Sequence, residues 1–255
     1  VNHWAYWHVP VLIVAGLCAG LTGSITGLAS LVSYPVLLAI GLGPISANVT
    51  NTVALVFSGV GSISASRPEL EGHWFELRWF VLTGVLGGCT GAGLLLATSS
   101  SSFKDIVPWL IGGASLAVLA IRRVSPVAGP DRLVLRFSGP TLFAVFLIAI
   151  YGGYFGAAAG VMMIALLHAK IEAPWPKLTA VRNVVLTTSN LVAAIIFIFA
   201  SSVNWGACIP LAVGFFCGGR LGPRVVRVVR APVLRFVICL LGVGLAISLG
   251  IQAYP

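Results

Sequence analysis

Two small groups of polar side chains interrupt a chain that is otherwise mostly apolar. Asn48, Thr50 and Asn51 lie in "SANVTNT", and Arg182 and Asn183 lie in "AVRNVV", each group near the start of an apolar segment. Amide and hydroxyl donors beside a guanidinium can hold the oxygens of a small anion. The same residues have a plainer reading. Asn and Thr cap helices or bond between them, and Arg182 can anchor at a cytoplasmic surface with its head among lipid headgroups. Catalysis lacks its parts: no apolar segment contains Asp or Glu, no His and carboxylate share a metal-ligand spacing, and no P-loop consensus occurs. No catalytic residue, metal or cofactor is expected. Nothing in the sequence joins Ser24 to His168, the one imaginable hydrolytic pair.

Two glycine runs carry a second signal. Gly20, Gly23 and Gly27 in "GLTGSITG" match Gly153, Gly156 and Gly160 in "GYFGAAAG" at a constant offset of 133. Glycine costs about 1 kcal/mol relative to alanine in a helix interior, yet both runs sit inside long uncharged segments. Small residues let membrane helices approach closely, and that alone is one reading, preferred for Gly84, Gly87, Gly88 and Gly91. The other is that the helices break there. A half-helix start presents unpaired N–H groups and a partial positive charge, which suits an anion. The candidate binding set is therefore Gly23, Gly27, Asn48, Thr50, Asn51, Gly156, Gly160, Arg182 and Asn183.

The elements that must position these residues follow from composition. The chain has 255 residues, 58% hydrophobic and 8% charged, with a mean hydropathy of +1.05, whereas soluble domains average about 25% charged. Nearly uncharged segments fall at about 9–42, 46–65, 79–98, 106–121, 138–169, 183–200, 205–219 and 236–253. About 20 such residues cross a bilayer as a helix. The alternation of a membrane β-barrel is absent, so the expected fold is an all-α polytopic membrane protein. The net charge of +9 is loop charge, and no nucleic-acid partner is expected; the lipid bilayer is, and a homodimer is compatible with the sequence. Cys18, Cys89, Cys208, Cys217 and Cys239 lie in apolar segments and read as small buried residues. The start, "VNHWAYWHVP", has no Lys or Arg, so a cleavable signal peptide is not expected. Its Trp4, Tyr6 and Trp7 read as an interfacial belt.

Cytoplasmic loops collect Lys and Arg. Arg122, Arg123, Arg132 and Arg136 face only Asp131, and residues 220–235 hold five arginines and no acid. Placing both clusters inside leaves 138–169 to enter and return, although two full spans would need about 40 residues. A hairpin of two short helices turning near mid-membrane at the glycine run satisfies this, and 9–42 forms its counterpart. The expected organisation is a first repeat at 1–121, a cytoplasmic basic linker at 122–137 and a second, inverted repeat at 138–255. Each repeat is a glycine-broken hairpin plus three spans. Both termini then lie outside an inner, or plasma, membrane.

Further matches at an offset of 131 pair Trp74 with Trp205, and Gly87, Gly88 and Gly91 with Gly218, Gly219 and Gly222. Inverted repeats with broken segments in corresponding positions are a transporter design, with the site where the breaks meet. With "YGGYFGAAAG", "KLTAVRNVV", "VNW" and "GLTGSITGLASLVSYPVLLAIGLGP" in this order, nearly the whole chain resembles the TauE/SafE sulfite exporter family, also called sulfite and toluene-sulfonate uptake permeases. The resemblance implies a secondary transporter, in the export direction, of small sulfur anions such as sulfite, sulfonates or sulfoacetate. "LAS" at Leu28–Ser30 stands where that family often has a glycine triplet. The rival reading is an anion channel or facilitator of the half-helix type, although its Asn-Pro-Ala signature is missing.

Overall fold

The structure, a computed structural model, describes residues 8–120, 138–171 and 173–226. The basic linker, the last apolar segment at 236–253, the aromatic start and Cys239 lie outside these residues. Among the described residues there are ten helices and no strand.

Each expected hairpin is a broken helix pair. The first is α1 (His8–Thr26) and α2 (Ala29–Ala39); the second is α7 (Gly139–Tyr154) and α8 (Ala159–Lys170). Gly27 and Gly156 sit in the breaks with φ of +84° and +76°, and Ala158 takes φ +62°, a conformation that strains any residue with a Cβ. At 1.5 Å per residue α2 is about 16 Å long, α7 about 24 Å and α8 about 18 Å, all short of a hydrocarbon core of about 30 Å. Between the pairs run α3 (Pro44–Ala65), the single turn α4 (Arg67–Leu70), α5 (Trp74–Ala97) and α6 (Ser100–Ala120); α9 (Trp175–Ala200) and α10 (Trp205–Val226) follow. By length and composition α1, α9 and the Leu77–Ala97 part of α5 are each able to cross a membrane. Lys104 and Asp105, which fall between the uncharged segments 79–98 and 106–121, lie in the first turns of α6, whose start is capped by Ser99 Oγ accepting from Ser102 N–H at 3.2 Å.

The broken pair of each half packs on the other half. α1 lies along α10, and α7 lies along α5. Lipid tails are as apolar as leucine, so membrane helices associate through close packing rather than hydrophobic burial. A Cβ on Gly20 would lie 2.7 Å from the Phe215 carbonyl oxygen, and one on Gly87 would lie 2.8 Å from that of Phe146. The contacts recur. Gly88 rests on the Ser189 backbone and Gly219 on the Ser58 backbone; Gly87 meets Ile150 and Gly218 meets Leu21. These keep the offset of 131 for α5 and α10. The broken pairs do not keep 133: contacts and positive φ match Gly156 with Gly27 and Gly152 with Gly23, one helical turn away. Glycines spaced three and four apart allow that slip, because both registers superpose glycines.

The outer surface is apolar, with Val14, Phe75, Trp109, Phe143, Phe199 and Ile209 each at least 60% exposed. Three cysteines correct the sequence reading. Among the described residues Cys18, Cys89 and Cys217 are exposed and Cys208 is buried, since a side chain in an apolar helix can face lipid as readily as the core.

Candidate binding site at the helix breaks

The two breaks touch. A Cβ on Gly27 would lie 2.5 Å from Gly160 Cα, so both backbones approach as only glycine permits. Beside this contact is a cavity of about 60 Å³. Gly23, Ser24, Gly27, Ala29 and Ser30 line it from the first pair, and Gly152, Gly156, Ala159 and Gly160 from the second. Its walls are one face of α3, through Leu55, Ser58, Gly59 and Ser62, and one face of α9, through Arg182, Asn183, Leu186, Thr187 and Asn190. Steps of three and four keep such residues on one helix face.

Among the described residues, Arg182 is the only charged one in this lining, which has no Asp or Glu. It is fully buried, two turns inside α9, and not at a surface. Its Nη2 donates to the carbonyl oxygens of Gly23 at 3.1 Å and Ser24 at 2.5 Å, and to Asn183 Oδ1 at 2.8 Å. Its Nε also donates to Asn183 Oδ1, at 3.2 Å. Carbonyls at a helix end carry partial negative charge, so the guanidinium sits on the end of α1. With Oδ1 occupied, Asn183 has only its N–H groups left for the cavity.

The helix starts add donors. No side chain caps α2 or α8. Leu31 N–H bonds to Leu28, Ala159 N–H to Gly156 and Val161 N–H to Ala158. The N–H groups of Ala29, Ser30 and Gly160 make no hydrogen bond among the described residues.

Six of the nine sequence candidates line the cavity: Gly23, Gly27, Gly156, Gly160, Arg182 and Asn183. Asn48, Thr50 and Asn51 do not. Asn48 Nδ2 donates to the Tyr154 carbonyl at 2.8 Å, and its buried Oδ1 finds no partner among the described residues. Thr50 Oγ1 accepts from Asn204 N–H at 3.0 Å. Asn51 Nδ2 donates to Ser30 Oγ at 3.1 Å, and its Oδ1 accepts from Ser33 at 2.5 Å. Sequence reasoning missed Ser30, Ser58, Ser62, Thr187 and Asn190. Their signal is a polar stripe at helical spacing within apolar segments, visible for Ser58 and Ser62 and for Thr187 and Asn190. Above the second break Phe155 packs edge-on against Tyr34, with centroids 5.2 Å apart, and against Phe103 at 6.0 Å. Ser24 Oγ donates to the Gly20 carbonyl at 2.8 Å.

A helical bundle with an apolar exterior and a small polar cavity where two broken pairs meet has the build of a membrane transport protein. The chain belongs to the Sulfite exporter TauE/SafE family, whose model matches residues 12–249. It is similar to a "Probable membrane transporter protein" of Haemophilus influenzae, 28% identical over 221 residues, covering 86% of this chain and 85% of the relative. It is also similar to the "Probable membrane transporter protein YfcA" of Escherichia coli K12, 28% identical over 220 residues, covering 85% and 80%. A third relative is the "Probable membrane transporter protein YunE" of Bacillus subtilis, 22% identical over 260 residues, covering 91% and 95%. No solved structure matches.

Proposed function

We propose that this membrane transporter carries small sulfur-containing anions, such as sulfite, a sulfonate or sulfoacetate, outward across the inner membrane without ATP. The anion binds in the cavity where the broken pairs meet. The observation that carries this reading is Arg182: a guanidinium fully buried in a cavity whose lining, among the described residues, has no acid. An intramembrane charge is expensive and marks a pathway or site. The family's description as a sulfite exporter supports the sulfur anion and the direction. The recurring contacts of the two halves are in keeping with two repeats, and the loop charge pattern favours their inversion, with the breaks near mid-membrane and both termini outside.

Flux into proteoliposomes, screened over sulfite, sulfate, thiosulfate, taurine and sulfoacetate, tests this. At least one sulfur anion should move with saturation, and Arg182→Gln should weaken its binding by about 10- to 100-fold, the scale of a charged hydrogen bond. Flux that rises without saturating would replace the carrier with an anion channel. Unchanged flux in folded Arg182→Gln protein would remove the site.

A further inference from the structure

Asn51 lies one hydrogen bond behind the cavity wall, and its two bonds differ in length in a way that fixes their direction. The contact to Ser33 is 2.5 Å, within the range of O–H···O and short of the 2.7 Å at which N–H···O begins. The contact to Ser30 is 3.1 Å, ordinary for N–H···O. Ser33 Oγ also lies 3.1 Å from the Ala29 carbonyl oxygen, the longer of its two contacts, so its one proton goes chiefly to Oδ1 and Nδ2 donates to Ser30 Oγ. Ser30 accepts there and donates to no described residue, so its single proton is left for the cavity that it lines. Asn183 is turned the same way by Arg182, which holds its Oδ1. Ser24 and Ser62, by contrast, give their protons to the carbonyls of Gly20 and Gly219.

We propose that Asn51 is a positioning residue for the anion: the relay from Ser33 through Asn51 commits the Ser30 proton to the cavity, beside the uncapped start of α2. Together with Asn183 this turns the donors of both halves inward, and the ligand that fits is an oxyanion whose bound oxygens accept without donating. The inference rests on the reading of the cavity as an anion site.

A double-mutant cycle on purified protein, with inorganic sulfite as the probe and affinity and melting temperature both measured, tests the relay. Ser30→Ala should weaken sulfite binding about fivefold, the scale of one neutral hydrogen bond. Asn51→Leu should weaken it by a similar or smaller factor, and the double variant should bind no worse than Ser30→Ala alone. Ser33→Ala removes the proton that holds Oδ1 and lets the Asn51 amide turn to accept from Ser30, so it should stay folded and lose about as much affinity as Ser30→Ala. It decides the matter if Asn51→Leu does not fold. Wild-type binding with multiplying effects, or Ser30→Ala binding as tightly as wild type, overturns the relay and leaves the anion site standing. Wild-type protein that binds no oxyanion overturns the anion site, and the relay with it.

Discussion

Gly27 and Gly156 carry the same backbone strain but different crowding. Both have positive φ, which costs a residue with a Cβ about 1–2 kcal/mol. A Cβ on Gly156 would meet only the Gly152 carbonyl oxygen, at 3.0 Å, whereas one on Gly27 would be driven into the Gly160 backbone. Gly156→Ala should therefore fold with a loss of about 1–2 kcal/mol, and Gly27→Ala should lose a further ~1–3 kcal/mol from overpacking. Thermal melts read the difference, and equal melts would mean that the breaks do not need to touch. The glycines that break the helices were legible in the sequence because glycine is costly mid-helix. The environment of Arg182 was not. Its position near a helix start fits a surface anchor equally well, and only the fold brings it to the carbonyls of Gly23 and Ser24, far away in the chain. Ser30 and Ser33 were hidden for a related reason, since their partner Asn51 lies beyond a helix and a turn.

At the scale of elements, the seams between α1 and α10 and between α5 and α7 set what each glycine does. A Cβ on Gly218 would lie 2.8 Å from Leu21 N and closer still to the Leu17 carbonyl oxygen, while one on Gly93 would meet nothing. Gly218→Ala should destabilise the protein by about 1–3 kcal/mol. Gly93→Ala should leave it unchanged or stabilise it by up to ~1 kcal/mol through helix propensity. Detergent-solubilised melting temperatures compare the two, and a neutral Gly218→Ala would show that the seam gives way. The helices themselves were legible from uncharged run length, and α7 and α8 from a charge pattern that forces one apolar stretch to enter and return. The register between the broken pairs was not, because a repeat of small residues three and four apart reads the same after a slip of one turn. Contacts with α5 and α10 resolve it.

For the whole molecule, the charge pattern orders the loops by side. Ser101 and Arg224 are both exposed, and the expected topology puts them on opposite faces of the membrane. Single cysteines at Ser101 and Arg224, with the native cysteines replaced by alanine, should react with an impermeant reagent from opposite sides of sealed vesicles. Labelling of both from one side would break the two-half arrangement. The crossed seams also impose an order on biogenesis. α1 enters the bilayer well before α10, yet its glycine face fits α10, which emerges only after the chain from Thr26 to Trp205 has been made. At ~5–20 residues per second that wait is on the order of ten seconds or more. Throughout it α1 has α2 and α3 beside it but lacks α10, and its glycine face is open to quality-control proteases and insertion chaperones. A ribosome stalled before Trp205 would therefore hold a product that is inserted and still unassembled.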